Sequence, residues 1–297
     1  MDVLGGPGVG SRTVQDRAVL ASVVIPAHNE ERVIPRTLAR LQQGLPPGSL
    51  DVVVVCNGCT DGTAAAARRA APGARVLEIE QPSKAAAVRA GNAATRVFPR
   101  VHLDADVELS GSDLATLVRP LTDGLVLATA PRRVLRREHA PWLVRTYYDV
   151  WEQLPQVRSG LFGRGVIALS AAGQARVSAL PPLMSDDLAT SDAFAPDERR
   201  VVDEAEVVVV PPGTVRDLVR RRTRVATGDA QAAGHGARRP ESVTTWRVLG
   251  RLAVARPAVA VRLPVFLGIA LVARASSRGA VRRGDFSTWL RDESSRA

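Results

Sequence analysis

Aromatic residues make up only 4% of this 297-residue chain. Single-stranded nucleic acid is gripped by stacking on such rings, so that class of partner is poorly served. Cysteine is nearly absent: Cys56 and Cys59 are the only two. Their C-x-x-C spacing lacks a second pair to complete a zinc site, and Cys56 closes an apolar run. A reduced pair in a cytosolic setting is expected, not a metal or redox centre. Lysine is rare as well. Nearly all of the 40 cations are arginine, which sets Lys84 apart. No apolar run reaches the about 20 residues that a bilayer span needs. The stretch Leu263 to Ala273 is too short, and extending it back to Ala258 takes in Arg262 and Pro264. Residues 1–18 carry no secretory signal pattern and are expected to form a disordered leader. Gly6, Gly8 and Gly10 precede the first strand instead of following one, so they do not make a dinucleotide loop.

What is present is enough apolar material, 45%, for a packed core. The length fits one large α/β domain, alone or with an appendage. Net charge is +10. Such an excess suits phosphorylated ligands, anionic membranes or nucleic acid, and an arginine-rich solvated surface produces it equally well.

The first third alternates strand and helix patterns. Strands are predicted at Leu20–Pro26, Asp51–Cys56, Ala74–Ile79 and Val101–Leu103. Helices are predicted at Glu30–Gln43, Thr60–Ala71 and Lys84–Val97. Near-continuous β-branched strands alternating with helices imply a mostly parallel sheet covered on both faces. Ligands of such sheets bind beyond the carboxyl ends of the strands. The residues standing there are PAHNE (26–30), NGCTDGT (57–63), QPSK (81–84) and DAD (104–106), and their convergence on one crevice marks a site. Further on come strand-like LVLATA (125–130) and VIALS (166–170) around an aromatic stretch, Trp142 to Trp151. The turn-rich SGLFGRG (159–165), the acidic SDDLATSDAF (185–194) and strand-like EVVVVPP (206–212) follow. A basic helix is predicted over Val215–Arg224, then a polar loop over Thr227–Ser242.

Asp104 and Asp106 alternate along one strand end, so both carboxylates face the same way. Two oxygen ligands so placed suit Mg²⁺ or Mn²⁺, with diphosphate oxygens and water completing the shell. Asp186 and Asp187 form a second acidic pair. Their mutual repulsion can make one of them a base near neutrality, and either can also cap the helix that follows. Arg220, Arg221, Arg222 and Arg224 share a short helical segment that could grip a diphosphate or simply face solvent. The tail from Leu249 to Ala275 reads either as a buried helix or as a membrane-surface helix flanked by Arg256, Arg262 and Arg274.

Taken in order, VVIPAHNEE, VVVCNGCTDGT, KAAAVRAGN, LDAD, SGLFGRG, SDD and RRRTR resemble a family 2 glycosyltransferase of the GT-A fold, over about residues 20 to 228. The resemblance implies a Rossmann-like central sheet and an inverting, metal-dependent transfer from a nucleotide-sugar donor. It implies nucleotide binding by Pro26, Ala27, Glu30, Asn57, Asp61 and Lys84, with Arg221 and Arg224 near the diphosphate. Asp104 and Asp106 stand at the family's metal motif, where Asp104 also meets the ribose and diphosphate. Asp187 stands at the general base, with Asp186 as its partner. Gly163 falls in the loop beside the acceptor. Two departures matter. The Gln and Trp of the processive members' Gln-x-x-Arg-Trp are replaced by Arg221 and Val225, which implies transfer of a single sugar. Cys56 to Cys59 replaces a segment that usually reads Asp-Asp-Gly-Ser, so the base preference is expected to differ.

The expected organisation is a leader (1–18), a GT-A domain (19–228), a mobile loop (229–244) and a C-terminal helical segment (245–297) suited to a membrane surface. The expected acceptor is an unidentified, lipid-linked hydroxyl. The expected setting is the cytoplasm, at the inner face of the plasma membrane if the tail touches lipid. A sugar nucleotidyltransferase is disfavoured because PAHNEE holds no glycine for a phosphate loop. A non-catalytic membrane-anchored nucleotide-binding module would not need Asp106 and Asp187 together.

Overall fold

The computed structural model describes residues 19–181, 186–234 and 239–283; the leader and the FSTWLRDESSR ending lie outside them. The four apolar runs become β1 (Ala21–Ala27), β2 (Leu50–Asn57), β3 (Arg75–Ile79) and β4 (Arg100–Leu103). Between them lie α1 (Ile34–Leu41), α2 (Thr63–Ala70) and α3 (Lys84–Ala94). The second half contributes β5 (Glu108–Leu109), α4 (Gly111–Thr122), β6 (Ala128–Leu135), α5 (Trp142–Trp151), α6 (Pro155–Ser159) and β7 (Val166–Leu169). Then come α7 (Ala171–Ser178), α8 (Asp186–Asp192), β8 (Arg199–Val209) and α9 (Val215–Gly234). A short 3-10 turn at Pro240–Ser242 precedes α10 (Trp246–Ala255), α11 (Pro257–Ala260) and α12 (Leu263–Arg282).

The strands form one sheet in the order β3-β2-β1-β4-β7-β6-β8-β5. Its first four strands are parallel, as the alternating pattern implies. Beyond β4 the sheet is mixed: β7 runs antiparallel to both β4 and β6, and β6 pairs β8 in parallel. The chain leaves β1 for β2 on one side and returns to β4 on the other, which opens a crevice at their carboxyl ends. Because β7 is antiparallel, its first residue, Val166, lies opposite the last residue of β4, Leu103. The loop entering β7 therefore arrives at the same crevice.

Local chemistry explains the helices that frame this edge. In α1, Ile34, Thr37, Leu38 and Leu41 recur at helical spacing and all are buried. Ser83 caps α3 by accepting a hydrogen bond from the Ala86 amide at 3.3 Å. Gly91 lets α3 lie flat on β1, since a Cβ there would sit 2.3 Å from Val24 Cγ1. One core cluster fills the sheet's α1, α2 and α4 side with Ile25, Leu38, Val54, Leu103 and Leu114 among others.

A second cluster joins α5 to the C-terminal helices through Tyr147, Leu249, Val259, Phe266 and Ile269. The Phe266 ring stacks on Tyr147 with centroids 5.0 Å apart. Burying a side chain of that size contributes about 1.5–3 kcal/mol. The polar stretch expected as a loop from Thr227 differs in the structure: through Gly234 it continues α9. Packing overrides the weak helix propensity of Gly228, because Thr227 and Ala232 are buried and Thr227 Oγ1 meets Ser277 Oγ of α12 at 3.0 Å.

Candidate active site

The first two strand-end loops clasp each other. Asn57, buried at the end of β2, donates from Nδ2 to Ala27 O at 2.8 Å. His28 Nδ1 lies 2.5 Å from Asn57 O. The Glu30 amide donates to Thr63 Oγ1 at 2.8 Å, and the Glu31 amide donates to Asp61 Oδ2 at 3.3 Å. In return the Gly62 amide donates to Glu31 Oε2 at 3.1 Å. Asn29 takes a positive φ of 53° to make the turn, and its Oδ1 accepts from the Thr60 amide at 2.7 Å. Pro26, Ala27, Glu30, Asn57 and Asp61 are thus brought together.

Asp61 is engaged by the protein on both oxygens: Oδ1 accepts from the Thr63 amide (3.0 Å) and hydroxyl (2.5 Å). Burial would raise its pKa, but hydrogen bonds from Thr63 and the Glu31 amide outweigh that and hold it below 3.8. The cysteines belong to this clasp and form no disulfide. Cys59 Sγ donates to Ala27 O at 3.5 Å, while burial, with Cys59 beside it, pushes the Cys56 thiol up to about 12.

Lys84 opens α3 and reaches across to Asp104, with Nζ 2.9 Å from Oδ1. It is the single lysine of the chain, so the one compact ammonium among 39 arginines sits on this aspartate. A point charge there neutralises a carboxylate without the planar fork that arginine would impose. Asp104, Ala105 and Asp106 are half-buried, buried and half-buried, but they do not continue the strand as the sequence pattern predicts: β4 ends at Leu103, and the segment is a turn closed by the Val107 amide donating to Asp104 O at 3.4 Å. The segment is pinned from α1 by Thr37 Oγ1, which donates to Ala105 O at 2.7 Å.

The SGLFGRG loop ties this edge to the second acidic pair. The Asp104 amide donates to Gly165 O at 2.8 Å. The Gly163 amide donates to Asp187 Oδ2 at 2.8 Å, while Asp187 Oδ1 accepts from the Leu188 amide. Gly163 and Gly165 are two residues apart, so the two attachments lie within about 7 Å along the chain. Both glycines have φ of +68°. At Gly165 a Cβ would sit 2.7 Å from Val107 Cγ1 and 3.3 Å from Asp104 Oδ2, so glycine keeps the space beside Asp104 open. Asp186 begins α8, but its side chain and Ser185 lie outside the described residues.

Two buried arginines hold this loop: Arg133 behind it, which no sequence motif marked, and Arg164 within SGLFGRG itself. Arg133 of β6 is buried, donates to Gly163 O at 3.0 Å and lies 4.2 Å over the Trp151 ring. Burial, with Arg221 and Arg137 nearby, lowers it to about 10. Arg164, also buried, donates to the carbonyls of Val157, Arg158 and Gly160, and burial lowers it to about 9. Glu152 pairs with Arg133 at 3.7 Å and with Arg137; Arg137 reaches Asp149 at 2.5 Å, and Asp149 reaches Arg262 at 3.3 Å. The sequence carries one signal for Arg133: four arginines, at 132, 133, 136 and 137, flank the apolar Val134 and Leu135 and call for partners.

The basic helix divides its charges. Arg220 pairs with Asp217 of its own helix at 3.3 Å, and Arg222 lies 5.9 Å from the Trp151 ring. Arg221 and Arg224 are half-buried, with Arg221 close enough to Arg133 to oppose its charge.

Among the described residues no group of three or more His, Cys, Asp or Glu surrounds a single point. A cation at Asp104 and Asp106 would therefore have two protein carboxylates and would draw other oxygens from a ligand. Two hard oxygen donors at the rim of an open crevice, with Gly165 leaving room beside one of them, fit Mg²⁺ or Mn²⁺ bound together with a diphosphate.

Residues 22–166 match the family model described as Glycosyl transferase family 2. Over 124 residues the chain is 36% identical to proteins named as uncharacterized glycosyltransferases of Mycobacterium bovis and Mycobacterium tuberculosis. That match covers 42% of this chain and 54% of theirs, so the chain spans about half the length of the curated relatives it matches. Among solved structures, a mannosyltransferase from Pyrobaculum calidifontis in complex with GDP-Man and Mn²⁺ superposes with a TM-score of 0.61 at 22% identity, covering 88% of this chain and 75% of that one. A glucosyl-3-phosphoglycerate synthase from Mycobacterium tuberculosis, in complex with Mn²⁺, uridine-diphosphate-glucose and phosphoglyceric acid, gives 0.52 at 24% identity, covering 72% and 79%. At these identities the likeness establishes a shared fold.

Proposed function

We propose that this chain, whose residues 22–166 match the glycosyl transferase family 2 model, moves one sugar from a nucleoside-diphosphate donor to an acceptor hydroxyl, with inversion at the anomeric carbon. The observation that carries this reading is the loop at Gly163–Gly165. It bonds Asp104, on the donor side, and Asp187, across the crevice, within one short turn.

In this reading the nucleotide lies over the clasp of residues 26–30 and 57–63, and Lys84 faces its diphosphate. Asp104 and Asp106 hold Mg²⁺ or Mn²⁺, which when bound neutralises charge on the leaving diphosphate. Arg221 and Arg224 add positive charge on the same side. Asp187, held by the Gly163 and Leu188 amides, takes the proton from the acceptor hydroxyl. The acceptor oxygen attacks the anomeric carbon from the face opposite the diphosphate. The carbon–oxygen bond to the diphosphate breaks, and nucleoside diphosphate leaves with the electron pair. Asp186 stands beside Asp187 as its partner. The neighbours solved with nucleotide sugars and Mn²⁺ support a metal and a nucleotide donor here, and the replaced Gln and Trp support single transfer. The arginine-flanked C-terminal helices fit an acceptor reached at a membrane surface.

The test is thermal stabilisation by a panel of nucleoside diphosphates, with and without Mn²⁺, for the wild type and Asp106→Ala. A ligand at 100 times its Kd stabilises by about 2.7 kcal/mol. One diphosphate is expected to stabilise the wild type only with metal and to leave Asp106→Ala unmoved. If no diphosphate stabilises the wild type under either condition, the donor site is misassigned.

A further inference from the structure

The charge of this protein is unevenly placed. Residues 242–283 contain eight arginines and no acidic residue, which leaves a net charge of only +2 for the other 255 residues. The same segment holds most of the large apolar side chains that face solvent among the described residues: Val243, Trp246, Val254, Val261, Leu271 and Val272. Val254 and Val261 are 86% and 82% exposed, so they are not core residues caught at an edge.

Four of these residues, Trp246, Val254, Leu271 and Val272, fall on helical stripes, while Val243 and Val261 stand at the ends of the preceding short turns. On α10, Trp246, Gly250 and Val254 face outward at a spacing of four, with Arg247 and Arg251 beside them, while Leu249 is buried. On α12 the outward stripe is Pro264, Gly268, Leu271, Val272 and Ala275, with no polar residue in it. The opposite stripe, Phe266, Ile269, Ala273 and Ser277, is buried on α5 and α9. Arg274, Arg278 and Arg282 follow at a spacing of four and line a groove of about 570 Å³ between α9 and α12. Asp229 faces them from α9, so the groove remains positive.

We propose that α10 and α12 form a peripheral docking surface for a bilayer that carries anionic lipids. The exposed aliphatics and Trp246 would enter the headgroup boundary, and the arginines would meet lipid phosphates. A second copy of the chain is a poor occupant, because two faces of net positive charge repel. A span is also a poor fit. α12 meets the length and hydropathy of one, but it is docked on α5 and α9 at every turn and carries Arg274 and Arg278 within it. The surface is also linked to the crevice, since Arg262 at the head of α12 pairs with Asp149 and so joins the chain of ion pairs ending at Gly163. The transferase reading bears only on what the surface is for. Vesicle binding and donor binding are measured separately, so either can fail alone.

The test is sedimentation of the full chain with vesicles of phosphatidylcholine, with and without phosphatidylglycerol. Binding is expected on anionic vesicles, at least about tenfold tighter than on neutral ones and weakened by salt. At about fivefold per charge, the triple change Arg274→Gln, Arg278→Gln and Arg282→Gln is expected to weaken it about 100-fold. Leu271→Ser with Val272→Ser is expected to weaken it too. All five side chains lie on the surface or in the open groove, so both variants should keep the wild-type melting temperature and the stabilisation by nucleoside diphosphate. Equal binding to both vesicle types, or full binding by the arginine variant, overturns the proposal. So does a dimer in solution that Leu271→Ser and Val272→Ser dissolve, and so does membrane association that resists alkaline extraction.

Discussion

The two sides of the crevice are built differently. The side proposed for the donor is backbone and short polar side chains: the clasp at residues 27–31 and 57–63 uses Asn29, Asn57, Thr60, Asp61 and Thr63, each bonded to a nearby main-chain group or hydroxyl. The side proposed for the acceptor is arginine and aromatic: Arg164 of the SGLFGRG loop and Arg133 beneath it are both buried, with Trp151, Glu152 and Arg137 behind them. The first gives a rigid cradle of fixed dipoles that a nucleotide can lie against. The second holds the SGLFGRG loop with long charged side chains whose partners come from α6 and the end of α5. Damage to the donor side should therefore appear as lost nucleotide affinity, and damage to the acceptor side as lost turnover.

The sharpest separation comes from Asp187→Asn. The amide keeps the size of the side chain and one acceptor oxygen for the Gly163 or Leu188 amide, but cannot take a proton at neutral pH. Turnover is expected to fall about 10²- to 10⁴-fold. Affinity for the diphosphate in the metal-dependent thermal shift should stay within about twofold, because the clasp and Asp106 are untouched. An equal loss of both would mean that Asp187 belongs to the donor side.

Arg133→Lys probes the suspension. Lysine keeps the charge but loses the fork that reaches Gly163 O and lies flat on Trp151. Unfolding in urea should show a loss of about 1–3 kcal/mol, the range for removing a buried charged hydrogen bond. Steady-state kinetics should show kcat reduced with the donor KM little changed. A wild-type kcat would show that the loop holds its shape without Arg133.

The same contrast explains which parts of the molecule could be read beforehand. β1, β2, β3 and β4 were legible to within a residue or two because each is a near-continuous apolar run, and the polar residues after such runs have one crevice to face. Asp104, Asp106 and Asp61 are singled out that way. The start of α1 was placed too early, at Glu30 and not Ile34, because residues 30–33 are held in turns by Thr63 and Asp61, thirty positions away. β6 departs further from its apolar pattern. LVLATA pointed to 125–130, whereas the strand runs from Ala128 to Leu135 through Pro131 and two arginines, with an irregularity between Pro131 and Arg132. β8 begins at Arg199, seven residues ahead of the expected EVVVVPP, because its first half is a polar run that only pairing with β6 makes a strand. Arg133 lies in an arginine-rich run and Arg164 within SGLFGRG, but the partners of both were illegible for the same reason. Their roles depend on carbonyls and rings that meet only after the sheet has formed, and no spacing in the chain encodes such a meeting.

The smallest expected effect tests whether the clasp is as self-contained as its hydrogen bonds suggest. Asp61 lies largely in solvent, so its bonds to Thr63 and the Glu31 amide are screened, and Asp61→Asn should cost under about 1 kcal/mol. Its folded pKa is depressed, so its contribution is fully present above the unfolded value of 3.8 and is lost as pH falls through the lower folded value. Urea unfolding of the wild type and the variant should therefore differ at neutral pH and approach each other as the solution is taken below 3.8. If the difference instead persists unchanged into acid, the asparagine is disturbing the turn itself, and the ionised carboxylate is not what joins the two loops. If the gap closes as expected and diphosphate affinity is still near the wild-type value at neutral pH, Asp61 serves the shape of the cradle and not the nucleotide directly.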